Sequence, residues 1–277
     1  MGAGPRSGKT RSGKSKPGKL RLDQLLVERG LAESRNRAQA VIMAGLVFSG
    51  DRRLDKPGQQ IAADVSLDVR GNNQPWVSRG GVKLAHALEY FTFSPVERTC
   101  LDIGASTGGF TDVLLARGAA RVYAVDVGYG QLDWKLRTDE RVTVMEKTNA
   151  RSLSEKNIPE PVDLVTCDAS FIGLETVLPA ALDLTTPGAI LIALIKPQFE
   201  VGKNEVGKGG VVRDPALHEA VCRRISDWLT ARRGWRAIGI TESPITGPEG
   251  NKEFLIGGVN DDLATHARRA ARPEPKR

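Results

Sequence analysis

Between Thr99 and Asp126 the chain reads as a strand, a glycine-rich loop, a helix and a second strand: TCLDIG, ASTGG, FTDVLLARG and RVYAVD. Two strands joined through a helix predict a parallel pair, since a parallel connection needs a crossover and a helix supplies it. The alternation continues through the strand-like runs VTVME, VDLVTCD and AILIALI. This is the pattern of a parallel sheet with helices on both faces. The helix predicted over 214–233 carries the plainest signals. Asp214 suits the N-cap, Pro215 the first turn and Gly234 the stop, with Leu217, Val221, Ile225, Trp228 and Leu229 as its apolar face. RAIGITES and KEFLIGGV follow each other with no helix between them. They predict a hairpin, an antiparallel final strand and a seven-stranded sheet.

The beginning of the chain has a different rhythm. RLDQLLVERG places Leu22, Leu25 and Leu26 at helical spacing and stops at Gly30; ESRNRAQAVIMAG repeats this, capped by Ser34 and ended by Gly45. LVFSGDRRL, KPGQQI and VSLDV are short β-prone runs between Gly and Pro turns. The expected organisation is a basic tail over 1–19, a small α+β module over 20–69 and a polar linker over 70–78. A Rossmann-like domain follows over 79–260, and then a second basic tail over 261–277.

Residues 1–19 contain Arg6, Lys9, Arg11, Lys14, Lys16 and Lys19, no acid and almost nothing apolar, so the tail is expected to be disordered. It and the arginines near the C-terminus carry much of the excess in a net charge of +7. Such tails suit a polyanion, nucleic acid above all, and read otherwise as solubilising. Cys100, Cys167 and Cys222 form no CxxC, and His86, His218 and His266 are scattered. That argues for a reducing compartment and against a metal site. No apolar run approaches the roughly 20 residues a membrane span needs, and no secretory signal opens the chain. A soluble cytoplasmic protein is expected.

The loop LDIGASTGGF presents Asp102, Gly104, Ser106, Gly108, Gly109 and Phe110 between strand and helix. Asp126, at the end of the next strand, is placed to accept the hydroxyls of a nucleotide ribose. An adenosine-containing cofactor follows. A dinucleotide would want glycine where Ser106 stands, for its pyrophosphate. S-adenosylmethionine has no phosphate, and the acidic LDIG opening suits it better than NAD.

AILIALIKPQF ends an aliphatic run on Lys196. A lysine against apolar walls loses proton affinity, because desolvation penalises the charged form. Asp168 ends the strand VDLVTCD, Glu253 opens the antiparallel last strand, and Lys83 lies on a helix entering the same region. All four are expected on the sheet edge where ligands of open α/β folds bind. Taken singly, Lys83 reads more readily as a solvated helix lysine and Glu253 as a surface hairpin residue. Together the set suits removal of a proton from a ribose 2′-hydroxyl during in-line methyl transfer, with Lys196 or Lys83 as base and Asp168 and Glu253 orienting them. CDASFIG lacks the two prolines of the D/N-P-P-Y/F motif of base-amine methyltransferases but keeps an aromatic, Phe171. Phe171 is either a platform for a flipped base or a core residue.

The segment 21–69 resembles S4-type RNA-binding domains, and the chain from Trp76 resembles FtsJ-like 2′-O-ribose methyltransferases. Their Lys-Asp-Lys-Glu tetrad matches Lys83, Asp168, Lys196 and Glu253. With VSRGGVKL, DIGASTGGF, DASFI, IKPQFE and EVGKGGVVRDP, the arrangement is similar to the TlyA or hemolysin A family. The resemblance implies S-adenosylmethionine-dependent cytidine 2′-O-methylation of ribosomal RNA within ribosomal subunits, and in actinobacteria a link to capreomycin and viomycin sensitivity. The long basic N-terminus favours action on both subunits. In the S4-type module Arg21, Arg35 and Arg37, with Arg52 and Arg53, are expected on phosphates. A monomer without metal or membrane attachment is expected. The readings left open are an RNA-binding ribosome-assembly factor with a vestigial cofactor fold, an NAD-dependent enzyme, and the membrane-active toxin of the hemolysin name.

Overall fold

The computed structural model describes residues 18–261, apart from residues 30, 33, 51, 64, 70–75, 248 and 249 and the side chain of residue 203. Most of both basic tails and of the expected linker, and the Gly30 stop, lie outside the described residues. The chain divides into two compact units between Asn73 and Gln74.

In the first unit β1 (Lys19–Arg21) leads into α1 (Leu22–Glu28) and α2 (Arg35–Met43). The short strands β2 (Val47–Ser49), β3 (Arg52–Arg53), β4 (Gln60–Ala62) and β5 (Asp68–Val69) follow. β1 pairs antiparallel with β4, placing Leu20 opposite Ile61, while β2 pairs with β3 and β5. A strand therefore precedes the helices and begins at Lys19, inside the segment expected to be tail. Three residues are too few to show an alternation, and the pairing is set by contacts some 40 positions away. Ser34 caps α2 by accepting from Arg37 N–H at 3.2 Å. Leu22, Leu25, Leu26, Val41 and Ile42 close a core with Val47, Leu54 and Ile61.

The second unit opens with α3 (Gly80–Tyr90), β6 (Thr99–Ile103), α4 (Gly109–Ala116), β7 (Arg121–Val125), α5 (Trp134–Arg137) and β8 (Val142–Met145). It continues with β9 (Val162–Cys167), α6 (Leu174–Val177), α7 (Pro179–Leu182), β10 (Thr185–Ile195), α8 (Pro197–Glu200), α9 (Pro215–Ala231), β11 (Trp235–Glu242) and β12 (Phe254–Asn260). One seven-stranded sheet runs β11-β12-β10-β9-β6-β7-β8, with β12 antiparallel to both neighbours. Alternation along β10 explains its burial on both sides. Ile190, Ile192 and Leu194 pack with α3 and α4, while Leu191, Ala193 and Ile195 pack with α6, α7 and α9.

Two expectations change in this unit. Trp76 and Val77 already pack on its core, and Val77 N–H donates to Asp112 Oδ2 at 2.9 Å, so the predicted linker ends before residue 78. On α9 the buried face is His218, Val221, Ile225 and Leu229, with Leu217 half-buried. His218 is accepted in a core because its Nε2 donates to Val212 carbonyl at 2.9 Å. The strand order reverses between β6 and β9, and the loops leaving those two strands open the crevice where such sheets bind ligands.

Candidate active site

The loop after β6 lies directly against the loop after β9. Gly104 has φ 78°, and a Cβ there would stand 2.9 Å from Ala169 nitrogen, so no other residue allows this approach. At Gly109 any side chain would strike Ser78 and the Gly81 backbone, where α4 starts beside α3. Ser106 N–H donates to Asp126 Oδ2 at 2.8 Å and Gly128 N–H to Asp126 Oδ1 at 2.7 Å. Asp126 thus ties the loop after β6 to the loop after β7, and each oxygen keeps a second acceptor site.

Two expected loop residues face away from the crevice. Gly108 turns towards Leu132 and Leu136. Asp102 is fully buried and accepts from Thr111 Oγ1 at 2.7 Å and Thr166 Oγ1 at 2.9 Å. Burial pushes its carboxyl up to about 6 against the hydroxyl hydrogen bonds. It braces β6 against α4 and β9 from behind, and lines neither cavity described below.

Two cavities of about 590 and 530 Å³ share Gly104, Ser106, Asp168, Ser170 and Phe171 and form one cleft. The smaller is walled by Asp126, Val127, Asn149, Ala150 and Ile172. The larger contains Phe110 and all four members of the expected tetrad. Register explains their meeting: Ile195 pairs with Phe254 across β10 and β12, so Lys196 and Glu253 leave the sheet side by side.

The tetrad forms two ion pairs. Lys83 Nζ lies 2.5 Å from Glu253 Oε2, with 9% and 0% of their side chains exposed. Lys196 Nζ lies 2.6 Å from Asp168 Oδ1, 2.9 Å from Ser170 Oγ and 3.2 Å from Asp168 carbonyl. Glu253 Oε1 is buried and has no hydrogen-bond partner among the described residues, and Gly247 packs against it where a side chain would not fit. An orphaned acceptor in a cleft wall is costly unless something donates to it. Phe171 is 89% exposed, so it is not a core residue; its ring sits 4.9 Å from that of Phe199.

In the first unit the expected arginines separate. Asp23 is fully buried at the start of α1 and accepts from Arg21 at 3.0 and 2.9 Å, from Arg35 Nε at 3.1 Å and from Gln39 at 3.0 Å. The hydrogen bonds from Arg21 above all, with those from Gln39 and Arg35, hold its carboxyl well below the usual range against burial, which raises it. Arg21, half-buried, and Arg35, exposed, are therefore both structural. Arg37 is half-buried on α2, and Arg52 and Arg53 are exposed on β3, with Arg53 lying across Gly45.

Reading the sequence missed Ser170, which reaches Lys196, and the Thr148–Arg151 stretch after β8 that walls the smaller cavity. The signal for the second was available: β8 ends on the same edge as β7, so its following residues belong there too.

Residues 76–259 match the model of the FtsJ-like methyltransferases and residues 20–65 that of the S4 domain. YqxC of Bacillus subtilis, named there a candidate rRNA methyltransferase, is 52% identical over 85% of this chain and 84% of its own. The 16S/23S rRNA (cytidine-2′-O)-methyltransferase TlyA of Mycobacterium tuberculosis is 49% identical over 85% and 88%. A solved structure from Streptococcus thermophilus, titled a candidate hemolysin, is 42% identical over 88% and 90%, with a TM-score of 0.68. Among the described residues no helix is long and apolar enough to cross a membrane.

Proposed function

Because the chain belongs to the TlyA family of FtsJ-like methyltransferases with an S4 domain, we propose that it methylates a cytidine ribose 2′-hydroxyl in ribosomal RNA. The observation that carries this reading is the pair of ion pairs, Lys83–Glu253 and Lys196–Asp168, in one cleft.

The residues fit S-adenosylmethionine. The smaller cavity combines a carboxylate for ribose hydroxyls, Asp126, with apolar walls for a base, Val127, Ala150 and Ile172. The Gly104–Ser106 backbone, shared with the larger cavity, would hold the remainder beside Asp168. When bound, S-adenosylmethionine supplies an electrophilic methyl carbon.

The chain's own residues prepare the acceptor. Lys196, once its ammonium has released a proton to solvent, acts as base towards the 2′-hydroxyl, its lone pair facing the cleft while Asp168 and Ser170 hold its two remaining N–H groups. Asp168 then stabilises the ammonium that forms. Lys83, held by Glu253, places positive charge near the oxygen as it loses its proton.

The finer reading is action by a monomer on RNA of both ribosomal subunits, with the link to capreomycin and viomycin sensitivity that the family resemblance implies for actinobacteria. Action on both subunits is supported by the 16S/23S name of the Mycobacterium tuberculosis relative and by the six basic residues among the first 19. Labelled methyl transfer to each purified subunit, followed by nucleoside analysis, tests it. The expected product is 2′-O-methylcytidine from both subunits. Label confined to one subunit would remove the finer reading, and methylation on a base would remove the ribose chemistry. Tight RNA binding without label would favour the assembly factor.

A further inference from the structure

Asp168 and Phe171 lie on the loop after β9, while Lys196 and Phe199 lie on the turn after β10. Nothing in the β-ladder fixes how far apart two such loops stand, because the backbone pairing of β9 with β10 ends at Cys167 and Ala193. One side chain bridges them away from the cleft. The side chain of Glu200, the last residue of α8, is 3% exposed and lines neither cavity. Its Oε1 accepts from Leu174 N–H at 2.8 Å, and its Oε2 accepts from Arg224 Nη2 at 2.9 Å. The same nitrogen donates to Glu200 carbonyl at 2.9 Å, so α9 holds both ends of the residue. Gly173 packs on the carboxylate, where a Cβ would come within 3.1 Å of Oε2. Burial raises the Glu200 carboxyl above its ordinary value, and the Leu174 N–H and Arg224 oppose that.

We propose that Glu200 is a positioning residue: it clasps the loop after β9 to the turn after β10 and so sets the approach of Lys196 to Asp168. The inference rests on the methyl-transfer reading above and adds a residue that touches neither RNA nor cofactor. Without the clasp the two loops part, and the contacts that cross between them near the cleft, Lys196 with Asp168 and Ser170 and Phe171 with Phe199, lose their register.

Glu200→Ala and Glu200→Gln test it in single-turnover methyl transfer, cofactor titration and amide hydrogen exchange on the full chain. Glu200→Ala is expected to lower the rate by about tenfold to a hundredfold, with cofactor affinity within about twofold of wild type. Glu200→Gln keeps an acceptor for Leu174 N–H and should recover most of the rate. Exchange at Leu174 and through the 196–200 turn should quicken together in Glu200→Ala. A wild-type rate in Glu200→Ala would overturn the proposal. So would a parallel fall in rate, cofactor affinity and melting temperature, the mark of a merely structural role. Should the wild type transfer no methyl, the functional reading fails, and exchange still decides the clasp: unchanged protection at Leu174 in Glu200→Ala would overturn it.

Discussion

Lys83 and Glu253 stand 170 positions apart in the chain and meet at 2.5 Å with their side chains almost sealed from solvent. Drawing two charges out of water costs several kcal/mol for each, and their attraction does little more than offset it. A pair so placed adds little net stability.

Separating the partners should expose this. Glu253→Ala leaves Lys83 charged and unpaired and is expected to destabilise the second unit by about 3–5 kcal/mol. The double replacement Lys83→Met with Glu253→Leu should restore most of that stability and show no methyl transfer. Urea unfolding and transfer assays on both variants check the contrast. A double variant as unstable as the single one would contradict it.

Asp102 makes stability depend on pH. Its carboxyl is raised from 3.8 to about 6 in the folded chain, so the folded state holds the proton more tightly than the unfolded one. Its contribution is full below 3.8 and is lost as pH rises through about 6. Asp102→Asn, which cannot ionise, should therefore gain on wild type between pH 4 and pH 7, by something on the order of 3 kcal/mol. Thermal melts of the two proteins across that range measure it. A difference that stays constant or shrinks with rising pH would contradict the burial argument.

The arginines of the first unit should not behave alike. Arg52→Ala is expected to weaken RNA binding and to lower the salt slope by about one, with melting unchanged. Arg35→Ala should lower both binding and melting temperature, because Arg35 also bonds the buried Asp23. Filter binding at several salt concentrations, with melts alongside, separates the two. Equal effects on melting would contradict the distinction.

Much of this was readable because sheet topology carries residues to one edge. Asp126, Asp168, Lys196 and Glu253 could each be placed from the end of a run of β-prone residues, and the antiparallel last strand brought Glu253 into register with Lys196. What escaped is what depends on which way a side chain turns. Asp102 lies two residues before Gly104 and looks like part of the loop, yet the strand's alternation points it at Thr111 and Thr166. Arg21 and Arg35 look like phosphate contacts alone, and no sequence pattern shows that both also bond Asp23. His218 displaced Leu217 on α9 because a carbonyl waited for it, which no hydrophobic pattern announces.

The proposed mechanism requires Lys196 to take the proton from the ribose. The direct test is transfer of labelled methyl from S-adenosylmethionine to purified ribosomal subunits by wild type and by Lys196→Ala, with cofactor affinity measured in parallel. The account predicts label in the RNA with wild type and none with the variant, at unchanged cofactor affinity. Label that persists with Lys196→Ala would contradict it and turn attention to Lys83.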